Sequence, residues 1–390
     1  ELNIKKMKPK FQKYWEFEIK PDYQKSEKYW IDSLYSALEN SVKIRLNADT
    51  EVGTFLSGGL DSSIITYFAG KERKDLKTFS INFEDKEINE RKYIDFFQKN
   101  ILKTDHHDID FKLENSQNLY KNFQNNNKEL LSDSSLISYY ALCKEASKKV
   151  KVVLGGDGSD ELLAGYNTFK AISYYEKMNK YKVYNILKYL SKLFKFFPST
   201  HKNQSLKFLT DRFFKAPTNN LSLANPIWLS PLNLNLINKM LKMDYKDNDI
   251  YEEIINEWKK NKNESVIDKT LYFYVNFFLK SQTLRKTDRI GMYNSLEIRS
   301  PFLDNEVIDI IRQIPHKFKY RDGTNKYILK KLALKIFPSK FVHRKKIGLT
   351  TPISKMIQSQ KLEFKLDNLE NIFFEIEKLL DEKNKFTKDN

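Results

Sequence analysis

The sequence predicts an α/β fold: a doubly wound parallel sheet followed by a large helical C-terminal half. Short apolar runs at 52–56, 77–83 and 151–154 alternate with segments of helical periodicity, which is typical of a parallel sheet with helices on both faces. Two of these runs end in a glycine-rich turn. From about 166 to 290 we find no convincing strand pattern. Since such sheets bind ligands at the carboxyl ends of their strands, the sequence predicts a site at the two glycine turns.

The elements follow in a regular order. Helix 27–47 has apolar side chains at helical intervals, and the first strand leads into a glycine turn. The further predictions are a helix over 61–70, a strand over 77–83, a helix from about 89, a polar strand over 105–110, helices over 113–123 and 136–148, and a strand over 151–154. The helical half continues through 304–313 and 325–336, and the last 30 residues read as a charged helix.

The composition indicates a globular protein of a reducing compartment. Of the 390 residues 40% are hydrophobic and 31% are charged, which is ordinary for a folded domain. The single cysteine, Cys143, excludes a disulfide framework and favours the cytoplasm. Cys143 lies in a helical pattern, where a buried structural thiol is the expectation. No uncharged apolar run approaches the roughly 20 residues of a membrane span, and we find no signal peptide.

The net charge of +17 does not by itself indicate a nucleic-acid partner. The lysines are spread along the chain, and the densest basic and aromatic stretch, 174–197, alternates lysines with apolar positions at helical spacing. We interpret it as a helix with one solvated and one packed face, with a membrane or RNA surface as the alternative.

The first glycine turn has the features of an anion site. Its residues are Ser57-Gly58-Gly59-Leu60-Asp61-Ser62-Ser63, directly after the strand that holds Phe55. Glycines let the main chain approach a ligand closely, a following helix start contributes a partial positive charge, and a carboxylate can hold the Mg²⁺ that accompanies a phosphate. The run lacks the Gly-Lys-Ser/Thr of a Walker loop. It resembles the Ser-Gly-Gly-x-Asp-Ser-Ser loop of the ATP pyrophosphatases.

The second glycine turn carries three carboxylates. It reads Gly155-Gly156-Asp157-Gly158-Ser159-Asp160-Glu161-Leu162-Leu163-Ala164-Gly165-Tyr166. Buried carboxylates need cations or donors, so Mg²⁺ ligands, a base or a clamp for an amino group are all open; an acidic helix N-terminus is the bland alternative.

That run resembles the Ser-Gly-Glu/Asp-Gly-Ser/Gly-Asp-Glu-Leu-Phe-Gly-Gly-Tyr motif of the asparagine synthetases. Gly155 stands where that family usually has Ser, and Leu163 and Ala164 replace Phe and Gly. The stretch 284–304 is similar to the family's Lys-x-Asp-Arg…Ser-Leu-Glu-x-Arg-x-Pro-Phe-Leu-Asp signature. The segments 326–330 and 338–349, with Arg344, Lys345 and Lys346, resemble its final basic segment, so that four ordered blocks match over about 14–356.

The resemblance implies a site and a chemistry. ATP would bind at Phe55, Ser57, Gly58, Gly59, Leu60, Asp61, Ser62, Ser63, Ile81, Gly155 and Gly156, with Phe55 and Ile81 flanking the adenine. Asp61 and Asp160 would hold Mg²⁺, and Lys346 would steady the departing pyrophosphate. Asp157 would accept a proton from the attacking ammonia. The expected product is an amide, most simply asparagine from aspartate.

The resemblance also bears on domains and partners. Residues 1–26 would be a linker from an upstream segment and 27–390 the synthetase domain, with its α/β core at about 50–165 and its helical part at 166–390. The chain starts at Glu1 rather than Met, so we expect a longer native polypeptide. Ammonia would come from a glutaminase domain upstream of Glu1 or from a separate protein, or be taken up free. We expect no nucleic-acid partner, and a homodimer is left open.

Three other readings stay open at this stage. The same chemistry could act on a sugar acid of a surface polysaccharide or on a peptide. A tRNA-modifying ATP pyrophosphatase would share the first turn but lack the 155–166 turn and the 288–304 block. A nucleotide-binding or scaffold protein without catalytic activity would not require Asp61, Asp157, Asp160 and Lys346. Asp288-Arg289 and Glu297-Arg299 are interpreted as ion pairs that shape the wall rather than as catalytic groups.

Overall fold

A parallel five-stranded sheet organises the part of the chain that carries both glycine turns. The computed structural model describes residues 2–3, 8–9, 12, 14–85, 88–112, 133, 135–191, 206–217, 220–230, 234–262, 265–344 and 346. The strands are β1 (Val52–Phe55), β2 (Lys77–Phe83), β3 (Asp105–Phe111), β4 (Val152–Leu154) and β5 (Glu297–Arg299), in the order β3-β2-β1-β4-β5. Every neighbouring pair is parallel. The predicted doubly wound α/β fold is confirmed.

The order of the strands fixes where a ligand can bind. From β1 the chain moves outward to β2 and β3, then returns to place β4 and β5 on the other side of β1. The strand order therefore reverses between β1 and β4, and the turns after these two strands lie at the point where open α/β sheets bind ligands.

Strand β5 was missed from the sequence. It pairs in parallel with β4, Val152 opposite Glu297 and Leu154 opposite Arg299. It is only three residues long and lies at the edge of the sheet, with Glu297 exposed. A polar edge strand has no apolar period to reveal it. The polar strand β3, predicted over 105–110, is confirmed at the opposite edge, in register with β2 from Lys77–Asp105 to Phe83–Phe111.

Helices surround the sheet and form most of the described C-terminal half. Trp30, Leu34, Leu38 and Val42 of the helix Glu27–Arg45 are buried, and this helix contacts the helices Asn305–Gln313 and Tyr327–Ala333. The α-helices are Glu27–Arg45, Leu60–Glu72, Arg91–Asn100, Leu136–Ala146, Ser159–Leu162, Asn167–Lys180, Tyr184–Ser191, Leu206–Phe213, Leu221–Leu229, Leu234–Leu241, Asp247–Ile250, Glu252–Lys260, Val266–Phe273, Leu284–Tyr293, Asn305–Gln313, His316–Lys319, Tyr327–Ala333 and Ser339–Val342. A π-helix spans Tyr274–Thr283, a 3₁₀ turn spans Pro301–Leu303, and the short strands Leu2–Asn3 and Lys8–Pro9 pair antiparallel.

The helix expected over 113–123 and the charged helix expected over the last 30 residues lie outside the described residues. Among those that are described, no helix is long and apolar enough to cross a membrane.

The chain divides into two compact units. The first comprises Glu1–Phe111, Ser138–Lys177 and Asn261–Leu349; it contains the sheet. The second comprises Lys112–Ile137, Met178–Lys260 and Thr350–Asn390. These bounds come from the structure, and the domain limits given above from the sequence stay a prediction.

An aromatic cluster packs the second unit. Phe213 stacks on Trp228 with ring centroids 5.7 Å apart, and the buried Tyr184 donates a 2.9 Å hydrogen bond to the carbonyl of Ala216. Tyr184 belongs to the basic stretch 174–197, and from the same helix Ile186 and Tyr189 are exposed. Within its described part, that stretch therefore has one packed and one solvated face; residues 192–197 are outside it.

Candidate active site

The first glycine turn is held open by its own hydroxyls. Gly58 has φ of +75°, a conformation that favours glycine, and the helix Leu60–Glu72 starts directly after Gly59. The hydroxyls of Ser57 and Ser62 lie 3.0 Å apart, and the Ser57 hydroxyl accepts a 3.2 Å hydrogen bond from the Gly59 amide. Asp61 lies in the first turn of the helix, so its carboxylate faces the same side as the helix N-terminus.

The second glycine turn touches the first. Ser159 donates a 2.8 Å hydrogen bond to Oδ1 of Asp61. Gly156 faces Asp61 so closely that a Cβ there would lie 3.0 Å from the Asp61 Cβ and 3.2 Å from the Ser62 nitrogen. Because β1 and β4 are neighbours in register, the two turns leave the sheet side by side and form one site.

Lys326 lies between the two carboxylates that were expected to hold Mg²⁺. Its Nζ is 2.6 Å from Oδ2 of Asp61 and 2.8 Å from Oδ1 of Asp160, and its side chain is buried. Burial opposes the charge on Lys326, but the two carboxylates outweigh it and raise the pKa of the ammonium group. The carboxylates of Asp61 and Asp160 therefore converge on a point that accommodates a cation.

Lys346 completes this charged network. Its Nζ lies 2.6 Å from Oδ2 of Asp160, and the lysine side chain is about half exposed. Burial of Asp160 opposes ionisation, but the ammonium groups of Lys326 and Lys346 outweigh it and hold the pKa of Asp160 well below its usual range. Asp160 is thus ionised at neutral pH and available to a cation.

The carboxylate of Glu161 is held by hydrogen bonds from two hydroxyl groups of the protein. Its Oε1 accepts hydrogen bonds of 2.7 Å from the hydroxyl of Tyr166 and of 2.9 Å from the hydroxyl of Thr283. Burial, together with the nearby Asp160, raises the pKa of Glu161. Thr283 ends the π-helix Tyr274–Thr283, so Glu161 ties the second glycine turn to the helical wall.

Asp157, like Glu161, forms no ion pair with a lysine among the described ion pairs. Burial raises its pKa, and the positive charge of Lys286 partly offsets that effect. A Cβ at Gly155 would lie 2.8 Å from Oδ2 of Asp157. A side chain at position 155 would therefore clash with the carboxylate of Asp157.

Arg344 clamps the first glycine turn. Its guanidinium donates to the carbonyl of Gly58 and, at 2.8 Å, to Oε1 of Glu90, and it stacks 4.1 Å above the ring of Tyr93. Burial raises the pKa of Glu90, while Arg344 opposes the shift. The clamp joins the turn after β1 to the segment that carries Lys346.

A cavity of about 430 Å³ opens between these elements. Of the residues predicted from the sequence, it is lined by Phe55, Ser57, Gly59, Leu60, Asp61, Ser62, Ile81, Gly155, Gly156, Asp157, Asp160 and Lys346. Gly58 lies beside the wall as the acceptor for Arg344. Ser63 is fully buried, its amide bonds to the Gly59 carbonyl, and its hydroxyl has no partner among the described residues.

Sequence reasoning gave no role to Glu90, Tyr139 and Lys326, which line this cavity, whereas Arg344 was expected in a basic loop suited to the pyrophosphate. Lys326 and Arg344 were named within the basic segments, but no periodicity or motif distance says that Lys326 lies between two aspartates. Tyr139 packs against Phe55 with ring centroids 5.7 Å apart. The helical pattern over 136–148 predicts that Tyr139 lies on a helix, but it does not predict that the tyrosine side chain faces this cavity.

The residues of the cavity suit a nucleotide with Mg²⁺. Among the described residues, no group of three or more His, Cys, Asp or Glu side chains could hold a metal. Mg²⁺ commonly binds one or two carboxylates together with substrate phosphates, and Asp61 and Asp160, which already share one cation, provide that donor set. Apolar Phe55 and Ile81, the helix start at Leu60 and the basic Lys346 line the same cavity.

Comparison with known proteins agrees with this fold. The family model for asparagine synthase matches residues 33–383. The chain is 29% identical over 365 residues to "Asparagine synthetase [glutamine-hydrolyzing] 1" of Bacillus subtilis, covering 91% of this chain and 54% of that protein. It is 26% identical over 362 residues to a putative glutamine-hydrolysing asparagine synthetase of Mycobacterium tuberculosis, covering 89% of this chain and 52% of that protein. A putative relative of Methanocaldococcus jannaschii is 40% identical over 162 residues, covering 40% of this chain and 30% of that protein.

A strand order that reverses at two contacting glycine turns, with a nucleotide-sized cavity between them, defines an ATP pyrophosphatase-like synthetase domain. The chain belongs to the asparagine synthase family. It spans about half the length of the curated relatives that it matches over most of its own length.

Proposed function

We propose that this chain is an AMP-forming, ATP-dependent amide ligase that activates a carboxylate and transfers ammonia to it, with the side chain of aspartate as the substrate. The contact between the two glycine turns carries the proposal. It places Asp61, Asp160, Lys326 and Lys346 around one point, where the phosphates of ATP would need a cation and neutralising charge.

Adenylation is the first step. An oxygen of the substrate carboxylate attacks the α-phosphorus of ATP, the bond from that phosphorus to the bridging oxygen breaks, and pyrophosphate leaves. Bound Mg²⁺ would supply charge neutralisation on the phosphates. The protein's part is positioning: the amides of the first turn and the ammonium of Lys346 face the leaving group, and Arg344 keeps the Gly58 carbonyl fixed.

Amide formation is the second step. Ammonia attacks the acyl carbon, the carbon–nitrogen bond forms, the bond to AMP breaks, and the surplus proton of the nitrogen needs an acceptor. Asp157 lines the same cavity, and burial raises its pKa, so that its ionised carboxylate is a stronger base than an exposed aspartate. Glu161 does not line the cavity, and its Oε1 accepts hydrogen bonds from Tyr166 and Thr283.

The ammonia source and the cell compartment belong to the same proposal. The curated relatives are named as glutamine-hydrolysing, so we propose that a glutaminase domain or a partner protein supplies ammonia to this chain. The cell compartment that we propose is the cytoplasm, as expected from the single, buried Cys143.

Pyrophosphate release tests the proposal. The chain is supplied with MgATP, ammonium chloride and either L-aspartate, glucuronate or a short acidic peptide. We expect pyrophosphate, AMP and asparagine in equal amounts with aspartate. The variant Lys346→Ala should release pyrophosphate about a hundredfold more slowly, whereas Lys335→Ala, which removes a lysine from the surface pair with Asp32, should match the unmodified chain. Release only with glucuronate or the peptide would contradict aspartate as the substrate, and no release with any of the three would contradict the ligase itself.

A further inference from the structure

A second cavity in the same compact unit is lined by polar residues that the proposed chemistry does not use. Its volume is about 990 Å³, and it is bounded by Pro21, Tyr23, Ser173, Tyr174, Asp268, His316 and neighbouring residues. Three tyrosines, Tyr23, Tyr174 and Tyr320, line its walls. Its volume is within the range of small-molecule sites, and its lining is more polar than is usual for them.

A buried carboxylate lies in the wall of this cavity. Asp268 is 2% exposed, and its Oδ1 has no hydrogen-bond partner among the described residues. Its Oδ2 is 3.5 Å from Nδ1 of His316, and that nitrogen is also without a hydrogen bond in the described part of the chain. A buried carboxylate without donors costs far more than one in water, so the cavity presents an acceptor that a ligand could satisfy.

A buried lysine lies close to this carboxylate. Lys319 is fully buried, and its Nζ has no hydrogen-bond partner among the described residues. Burial lowers the pKa of Lys319 to about 8, and the charge of Asp268 partly opposes that effect. Lys319 and Asp268 therefore attract each other electrostatically without a direct hydrogen bond. Lys319 Nζ and Asp268 Oδ1 have no hydrogen-bond partner among the described residues.

The rim of the cavity carries net positive charge, opposite to that of the buried Asp268. Its cations are Lys177, Lys262, Lys317 and Arg321, against the two acids Glu176 and Asp322. Lys177 and Lys317 are exposed, and the side chain of Arg321 is about half exposed. The site thus combines a desolvated acceptor with a surplus of positive charge near solvent.

We propose that this cavity binds a free α-amino acid, whose ammonium group lies against Asp268 and whose carboxylate lies against the cations of the rim. An ammonium group supplies the donors that Asp268 lacks, and charge-assisted hydrogen bonds of this kind are the strong ones. A purely anionic ligand would leave Asp268 unsatisfied, and a purely cationic one would meet the basic rim.

A single tight turn separates this cavity from the proposed active site. Gly323 lines both cavities. It lies in a turn closed by backbone hydrogen bonds of 3.1 and 2.7 Å between Arg321 and Thr324. Lys326, which contacts Asp61 and Asp160, follows two residues after this turn.

Binding measurements without nucleotide test this proposal independently of the ligase activity. The standard α-amino acids are screened one by one for thermal stabilisation of the chain, and the most stabilising one is titrated by calorimetry beside its N-acetyl derivative. We expect the free amino acid to bind and the N-acetyl derivative, which lacks the ammonium group, to fail.

Variants then locate the site. Asp268→Asn should weaken binding by about tenfold or more, since it removes the charged acceptor. Lys317→Gln, at an exposed position where the fold is not at risk, should weaken binding by removing a partner of the carboxylate. Asp322→Asn, on the same rim but with a 92% exposed side chain, is the matched control and should bind as the unmodified chain does.

Three results would overturn the proposal. No amino acid binds; binding is the same in Asp268→Asn and Lys317→Gln as in the unmodified chain; or binding is lost in Lys346→Ala, which would place the amino acid in the nucleotide cavity. Pyrophosphate release by the unmodified chain is measured in parallel, so that a failure of the ligase proposal is seen separately.

Discussion

Ser159 donates a 2.8 Å hydrogen bond to Asp61, and through this contact the two glycine turns of neighbouring strands behave as one structure. The Asp61 carboxylate also receives Lys326, so a side chain from each of three distant parts of the chain meets at one point. Changes in any of the three should therefore affect both stability and the handling of phosphate.

Lys326→Gln should destabilise the fold and slow pyrophosphate release. The change leaves Asp61 and Asp160 facing each other without their buried cation, which should cost about 3 kcal/mol. Pyrophosphate release should fall by about a hundredfold. Urea unfolding with and without magnesium chloride is the measurement, because Mg²⁺ should stabilise the variant more than the unmodified chain.

Lys335→Gln is the control for that change, since it removes an exposed pair with Asp32 and should leave the urea midpoint unchanged. Equal urea midpoints for Lys326→Gln and the unmodified chain would show that Lys326 does not act as the counter-ion of the two carboxylates.

Gly155→Ser should impair amide formation more than adenylation. The new Cβ would lie 2.8 Å from Oδ2 of Asp157, and the end of that side chain must move to make room. Since the Asp157 carboxylate is the proposed proton acceptor, the amide should form more slowly while carboxylate-dependent ATP–pyrophosphate exchange continues. An equal loss in both assays would indicate that position 155 acts on the nucleotide instead.

Asp157→Asn should remove the acidic limb of the pH profile for amide formation. The base must be ionised, and burial raises its pKa, so the rate of the unmodified chain should fall on acidification at a higher pH than for an exposed aspartate. The variant should form amide about a hundredfold or more slowly, with no such limb. An unchanged pH profile would assign the proton transfer to another group.

The same variant should be more stable than the unmodified chain at neutral pH. A carboxyl whose pKa is raised by folding costs stability as the pH rises through its unfolded and then its folded pKa, and asparagine carries no such cost. Thermal unfolding at pH 7.5, against the same pair at a pH below the usual range for aspartate, measures the difference, which should vanish in acid.

Arg344→Lys should raise the KM for ATP by about tenfold and change kcat less, because a lysine cannot reproduce the fork that reaches both Glu90 and the Gly58 carbonyl. The matched control is Arg312→Lys, in a surface pair with Asp309 of 3.1 Å, which should leave both constants unchanged. If Arg344→Lys binds ATP normally, the clamp does not shape the first turn.

The sequence predicted the sheet and the turns well because these depend on local chemistry. The short segments at 52–56, 77–83 and 151–154 are rich in residues that favour strands, and glycines after the first and the last marked where the backbone must turn sharply. Strand β5 could not be predicted from the sequence, because its three mainly polar residues lie at the edge of the sheet. They form backbone hydrogen bonds there without burying an apolar face.

The site was predictable as a set of residues but not as a network. Motif spacing brought Asp61 and Asp160 to one place, and the structure places both in one cavity wall. That Lys326 lies between them depends on a turn at 321–326 and a left-handed backbone at Lys326 itself, with φ of +52°. Long-range contacts of this kind leave no periodic trace in the sequence.

The ammonium group of Lys326 makes the two carboxylates tolerable to the folding chain before any ion arrives. Under the proposed function, Mg²⁺ would enter a site that already holds a positive charge, instead of meeting two bare carboxylates. A change at position 326 alone would then alter the affinity of the proposed site for Mg²⁺ while both carboxylates are kept.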